Sequence, residues 1–251
     1  MPVSRRDALR LLAAPVGLAA LGVAPSGIGM RGARSGARLK VLVAGGHPDD
    51  PESGCGGAMA RYADAGHEVV ALYLTRGEAG IEGATHADAA RIRTAESERA
   101  CRILGARPVF FGQVDGDTRV DRDAYAAMRE VMEREKPDLI FTHWPVDTHP
   151  DHRAASLLVY DAWMRMGRKV PLAYFEVLTG EQTEVFRPTD YVDITAVARR
   201  KRDACFAHAS QKPEEWYPVH ERMGRFRGME HGCEAAEAFV RHDAGPAILP
   251  P

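Results

Sequence analysis

Cysteine is scarce: the 251 residues contain four, too few to staple a disulfide-built miniprotein, and no two of them form a C-x-x-C pair. Basic charge is not in excess either, with 33 Lys+Arg against 35 Asp+Glu and a formal net charge of −2. A general nucleic-acid binder needs surplus cations for its phosphate contacts, so that class is excluded. Long hydrophobic runs are missing. The apolar stretch over residues 11–24 has 14 residues and contains Pro15 and Gly17, short of the roughly 20 that span a bilayer as a helix. There is no complete G-x-G-x-x-G loop: Gly54-Cys55-Gly56-Gly57 lacks the pattern, which argues against a dinucleotide cofactor. No internal repeat is visible. What is present is a 45% hydrophobic content, too high for a disordered chain.

The charge is unevenly placed. Residues 1–36 hold Arg5, Arg6, Arg10, Arg31 and Arg34 against Asp7 alone, a net of +4, which leaves −6 for residues 37–251. The adjacent Arg5 and Arg6, the short apolar stretch and the small residues near Ala24 fit a twin-arginine-type export signal. Residues 1–36 are therefore expected to be a signal segment and linker that engages export machinery. The mature protein would then be periplasmic or extracellular. Residues 37–251 are expected to form one domain.

From residue 39 onward strands alternate with helices. Strands are predicted at 39–44, 69–75, 108–112, 138–143 and 172–178, and helices at 55–65, 89–104, 123–136 and 153–168. Gly66, Gly105 and Pro137 act as stops. Such alternation implies parallel pairing with right-handed crossovers: a single α/β, Rossmann-like three-layer domain with a mostly parallel sheet.

Two short segments carry the chemistry. His47-Pro48-Asp49-Asp50 follows the first predicted strand, and His149-Pro150-Asp151-His152 follows the fourth. Open α/β sheets bind ligands at the carboxyl ends of their strands. In a 3-2-1-4-5 strand order the first and fourth strands are neighbours where the order reverses, so the two segments would face one crevice. Imidazole and carboxylate ligands suit Zn²⁺, and a catalytic zinc keeps three protein ligands and one open position. His47, Asp50 and His152 can supply those three, and Fe²⁺ fits the same donors. Asp49 and His149 remain as candidates for proton transfer, with a cationic His149 able to stabilise an oxyanion and protonate a leaving amine. Asp151 could orient a ligand histidine.

With these segments, Thr75-Arg76-Gly77-Glu78, Arg93-Thr94-Ala95-Glu96 and Thr142-His143-Trp144, the sequence resembles the PIG-L/LmbE-like zinc-dependent N-deacetylases over most of residues 39–242. The resemblance implies a Rossmann-like fold and removal of an acyl group, above all acetyl, from the nitrogen of an amino sugar or related small molecule. It places the metal ligands on His47, Asp50 and His152, the general base on Asp49 and the charge-stabilising histidine on His149. It associates Arg76 with the substrate pocket. The family's usual pattern has Glu directly after the second Asp, whereas here Pro51 precedes Glu52.

Asp115, after the third strand, is a further candidate for sugar hydroxyls, with Asp117 near it; His143 is a candidate for lining the pocket. Residues 208–228, with Trp216, Tyr217, His220, Arg225 and Arg227, could cover the pocket and set substrate choice. Cys55 reads as a small buried residue, and His86, His231 and His242 as surface residues. An exported location would permit a disulfide between two of Cys101, Cys205 and Cys233. Two other readings remain: a metal-containing carbohydrate-binding protein without turnover, and a phosphoester hydrolase, for which more ligands would be needed. Homo-oligomerisation is left open.

Overall fold

The structure is a computed structural model that describes residues 38–248 and 251. The expected signal segment, residues 1–36, lies outside the described residues. Thirteen elements follow one another: β1 (Lys40–Gly45), α1 (Asp50–Asp64), β2 (Glu68–Tyr73), α2 (His86–Leu104), β3 (Ala106–Phe110), α3 (Arg122–Glu135), β4 (Leu139–His143), α4 (Pro150–Arg165), β5 (Leu172–Phe175), β6 (Asp190–Asp193), α5 (Ala198–Phe206), α6 (Pro213–His231) and β7 (Ala236–Arg241). They build one seven-stranded sheet in the order β3-β2-β1-β4-β5-β7-β6. β1 pairs in parallel with both β2 and β4, while β7 runs antiparallel to β5 and β6.

Period-two alternation divides the core into two layers. Val41 and Val43 of β1 pack with Met59, Leu104 and Phe239 on the side of α1, α2 and α5. Leu42 and Ala44 pack with Met128, Leu158 and Trp163 on the side of α3 and α4. A mostly parallel sheet covered on both faces needs apolar side chains on both, and residues 41–44 supply them.

Helix α1 begins at Asp50 rather than at residue 55, as the sequence suggested. Pro51 stands in its first turn, where a missing N–H costs nothing, so the motif and the helix are continuous. Gly54 is required by packing: a Cβ there would lie 2.3 Å from Phe175 of β5. Cys55, Cys101 and Cys205 are buried and Cys233 is half-buried, all four as free thiols.

Candidate metal centre and catalytic cavity

Register brings the two motifs together. Val41 of β1 is level with Leu139 of β4 and Ala44 with Thr142, so the chain leaves both strands side by side at their carboxyl ends. The turn after β1 passes close beneath α4. A Cβ on Gly46 would stand 3.1 Å from the His152 ring and 3.3 Å from Asp50 Oδ2, tighter than most Cβ contacts, so the loop approaches the site closely there.

Asp50 is the hub. Its Oδ2 accepts the His47 N–H at 2.7 Å and lies 3.3 Å from His47 Nδ1, while Oδ1 lies 3.3 Å from His152 Nε2. The far nitrogens are tied down from outside. His47 Nε2 stands 3.1 Å from Asp151 Oδ2 and 3.2 Å from Asp115 Oδ1, and His152 Nδ1 stands 3.0 Å from Asp147 Oδ2. Asp151 itself accepts from Gly116 N–H and the Thr118 hydroxyl. A carboxylate behind each imidazole, with the other nitrogen turned to a shared carboxylate, is how ligand histidines are oriented at a metal. Nitrogens of His47, His149 and His152 also lie within 4.8 Å of one another, and so do donor atoms of Asp50, His143 and His152. The donor set therefore fits a divalent ion of the zinc or iron type.

Charge couples these groups. Burial works to raise the Asp50 pKa, but His152 and His143 outweigh it and hold the carboxyl well below its usual range. Burial opposes protonation of His152, yet Asp50 and Asp147 lift it to about 9. His47 is likewise raised, against burial, by Asp115, Asp151 and Asp50.

Asp49 has left-handed backbone geometry, φ 105°, which a residue bearing a Cβ rarely adopts. The turn is held by its own carbonyl, which accepts from Ser53 N–H at 2.8 Å, and by Arg93, which donates to Asp49 Oδ2 at 2.9 Å and to the Pro48 carbonyl. Burial raises the Asp49 pKa to about 6, with Arg93 pulling the other way. The Asp49 carboxylate is thus paired with Arg93 and lines the cavity. His149 caps α4: its Nδ1 accepts the Asp151 N–H at 3.2 Å. That bond leaves Nε2 as the protonated nitrogen of a neutral ring, and burial with His47 beside it lowers the His149 pKa.

All of this opens on one cavity of about 440 Å³, lined by His47, Asp49, Asp50, His149 and His152, with Asp115 beside them. Two expected pocket residues are not among its lining residues. Arg76 donates to the Thr94 hydroxyl at 2.9 Å and lies over the Phe110 ring at 4.0 Å, while Arg93 lines the cavity. His143 is fully buried behind the hub, where its Nε2 accepts from Gly46 N–H at 3.1 Å, stands 3.2 Å from Asp50 Oδ2, and its ring stacks on His152. Asp115 does line the cavity, but its oxygens are engaged by His47 and by Ala79 N–H. Glu52 does not line the cavity at all. It is fully buried, accepts from the Tyr73 hydroxyl at 2.6 Å and faces His208 at 3.2 Å. Trp216 and His220, from the stretch expected to cover the pocket, are in the wall with Gln182 and Gln211. Arg93 and Asp147 were not singled out as site residues by sequence. The D-x-H spacing of Asp147 and His149 ahead of His152 was the available signal for Asp147, and Arg93 lies in a segment that the resemblance already covered.

Comparison with known proteins agrees with this geometry. The family model "PIG-L: GlcNAc-PI de-N-acetylase" matches residues 42–163, the stretch that holds both histidine–aspartate motifs. The chain is 31% identical over 221 residues to the diacetylchitobiose deacetylase of Thermococcus kodakarensis, covering 80% of this chain and 82% of that protein. It is 29% identical over 233 residues to the 4-oxalmesaconate hydratase of Pseudomonas putida, covering 84% and 89%. Among solved structures, the N,N'-diacetylchitobiose deacetylase from Pyrococcus horikoshii superposes with a TM-score of 0.73 at 26% identity, covering 82% of this chain and 84% of that one. With the family model matched over residues 42–163, a shared fold and a relative 31% identical over most of both lengths, the chain belongs to the PIG-L family.

Proposed function

We propose that this protein is a metal-dependent N-deacetylase that removes an acetyl group from an amino sugar or a closely related N-acylated small molecule. The observation that carries the reading is a division of labour in one cavity: Asp50 gathers His47 and His152, while Asp49, on the next residue back, is held out of that cluster by Arg93. His47, Asp50 and His152 would hold the ion, Zn²⁺ or Fe²⁺. When bound, such an ion supplies Lewis acidity and acidifies the attacking water towards a pKa of about 7.

The chain's own residues account for the proton movements. Asp49 takes a proton from the water as its oxygen bonds to the acyl carbon. His149 Nε2–H, aimed by the bond at Nδ1, donates to the oxygen that gains charge. The proton held by Asp49 then passes to the nitrogen as the C–N bond breaks, giving acetate and the free amine.

The test is acetate release from N,N'-diacetylchitobiose and N-acetylglucosamine by Zn²⁺-loaded protein. Asp49→Asn should keep the metal, measured by atomic absorption, and lose about 10²–10⁴-fold in kcat, the usual worth of a positioned base. Full activity in that variant would remove Asp49 from the role.

The Pseudomonas relative supports a second reading, addition of water to an unsaturated acid. Arg93 is the sole Lys or Arg side chain lining the described cavity, and Asp49 and the Pro48 carbonyl already occupy it. A polycarboxylate substrate would find no free Lys or Arg there to pair its further carboxylates, which favours the neutral N-acyl sugar. Hydration of 4-oxalmesaconate without acetate release from any amide would reverse that choice.

We further propose that residues 1–36 direct export by a twin-arginine route, on the basis of Arg5-Arg6 and the apolar stretch behind them. A chain beginning at Arg38 should then remain in the cytoplasm.

A further inference from the structure

The residues with a role in the chemistry lie within residues 42–163, but the opposite wall of the cavity does not. Val177, Leu178, Gln182, Gln211, Trp216 and His220 all come from the chain beyond that stretch. We propose that Trp216 and His220 together form the subsite that recognises the pyranose ring of the substrate. This role rests on the amino-sugar reading above and assigns the residues that would select such a substrate.

Trp216 and His220 are four residues apart on α6 and share one helix face. Their rings meet edge to face with centroids 5.6 Å apart. The indole is held in place: its Nε1–H donates to the Gln211 carbonyl at 3.0 Å. Gln211 is itself fastened across the cavity mouth, its side-chain amide donating to the Gly80 carbonyl at 2.9 Å. The neighbouring Ser210 donates both its N–H, at 2.8 Å, and its hydroxyl, at 2.6 Å, to the buried Glu96 of α2. A half-buried indole with its polar atom already satisfied has an apolar face left for a ligand.

His220 supplies the polar half. It is 5% exposed and lines the cavity, yet its imidazole makes no hydrogen bond or ion pair with the described residues. Its nitrogens are not sealed from the cavity, so they are open to solvent or to a ligand there. Burial, with Lys201 adding to it, pushes its pKa down to about 3, so the ring is neutral. A neutral imidazole offers one donor and one acceptor, which is the complement of a sugar hydroxyl. An aromatic face beside a few well-placed polar atoms is the usual make-up of a small-molecule site.

The experiment measures acetate release from N,N'-diacetylchitobiose by the Zn²⁺-loaded full chain, with kcat and KM separated and folding followed by thermal melting. Trp216→Ala should raise KM by about tenfold, worth about 1.4 kcal/mol, with a smaller fall in kcat. Trp216→Phe, which keeps an aromatic face, should lose less. His220→Asn, which keeps a donor and an acceptor, should retain a lower KM than His220→Phe. If the wild type releases acetate and KM in Trp216→Ala stays within about twofold, the ring-binding subsite falls while the deacetylase reading stands. The subsite falls in the same way if His220→Asn and His220→Phe are indistinguishable. A wild type that releases no acetate from the sugar overturns the amino-sugar reading and takes the subsite with it.

Discussion

At the scale of single residues, the site depends on side chains that do not line its cavity. Asp147 is buried, accepts His149 N–H at 2.7 Å and stands 3.0 Å from His152 Nδ1, so it sets both the cap of α4 and the orientation of a ligand ring. Replacing it by Ala should weaken Zn²⁺ binding by about 10–100-fold, the usual cost of losing the group behind a ligand histidine. Competition with a chromophoric chelator measures this, and an unaltered affinity would mean that packing alone orients His152. That His47, Asp49, Asp50 and His152 would meet at one cavity was legible in the sequence, because a histidine and an aspartate placed straight after a strand have a chemical reading of their own. Asp147, Arg93 and the burial of Glu52 were not. Their meaning lies in which oxygen or nitrogen faces which partner, and one-dimensional spacing does not encode that. Arg76 and Arg93 illustrate the difference: both are arginines in recognisable segments, but only Arg93 reaches the cavity, because Phe110 and Thr94 hold Arg76 away.

At the scale of elements, the five parallel strands and four crossover helices were readable from apolar runs closed by glycine or proline. The last third was not. Helix α5 reads Ala-Arg-Arg-Lys-Arg-Asp-Ala-Cys-Phe, a charged sequence whose buried members are Lys201, Ala204 and Cys205. Strand β7 places Glu237 on the same face as Phe239, so its inward stripe looks polar. The two oddities resolve each other. Glu237 accepts Lys201 Nζ at 2.7 Å, Gly57 N–H at 2.8 Å and Ala58 N–H at 2.7 Å, binding β7, α5 and α1 at one carboxylate. Gly57 allows this contact, since a Cβ there would fall 2.4 Å from Ile194 and 3.1 Å from Glu237 Oε1. Both charges are buried, so removing one leaves the other without compensation. Glu237→Ala should destabilise the protein by about 3–5 kcal/mol, read from the urea midpoint, and the double variant with Lys201→Met should recover part of that loss. A double variant no better than the single one would place the cost in the lost helix contacts instead.

At the scale of the whole molecule, the sheet order decides where the two motifs meet. The expected 3-2-1-4-5 order is present, and it brings two motifs 102 residues apart in the chain, counted from His47 to His149, to one end of neighbouring strands. The antiparallel pair β7-β6 extends that sheet, and α6 carries Trp216 and His220 to the cavity. The described sheet and helices all lie after residue 38. Among the described residues the earliest contacts in the sheet are Leu39 N–H to His67 Nδ1 at 3.3 Å, Glu68 N–H to the Leu39 carbonyl at 2.8 Å and Lys40 N–H to Asp138 Oδ2 at 2.8 Å. All seven strands and six helices lie after that point. A chain beginning at Arg38 should therefore melt within about 4 °C of the full protein, a shift equivalent to about 1 kcal/mol at this size. It should also keep its kcat for acetate release. The same truncation separates fold from address, because the +4 segment that it removes is the part assigned to export. Cell fractionation should find the full chain outside the cytoplasm and the shortened one inside it. Equal export of both would end the signal reading while leaving the catalytic one intact, and a large drop in melting temperature would show that residues 1–37 contribute to the domain itself.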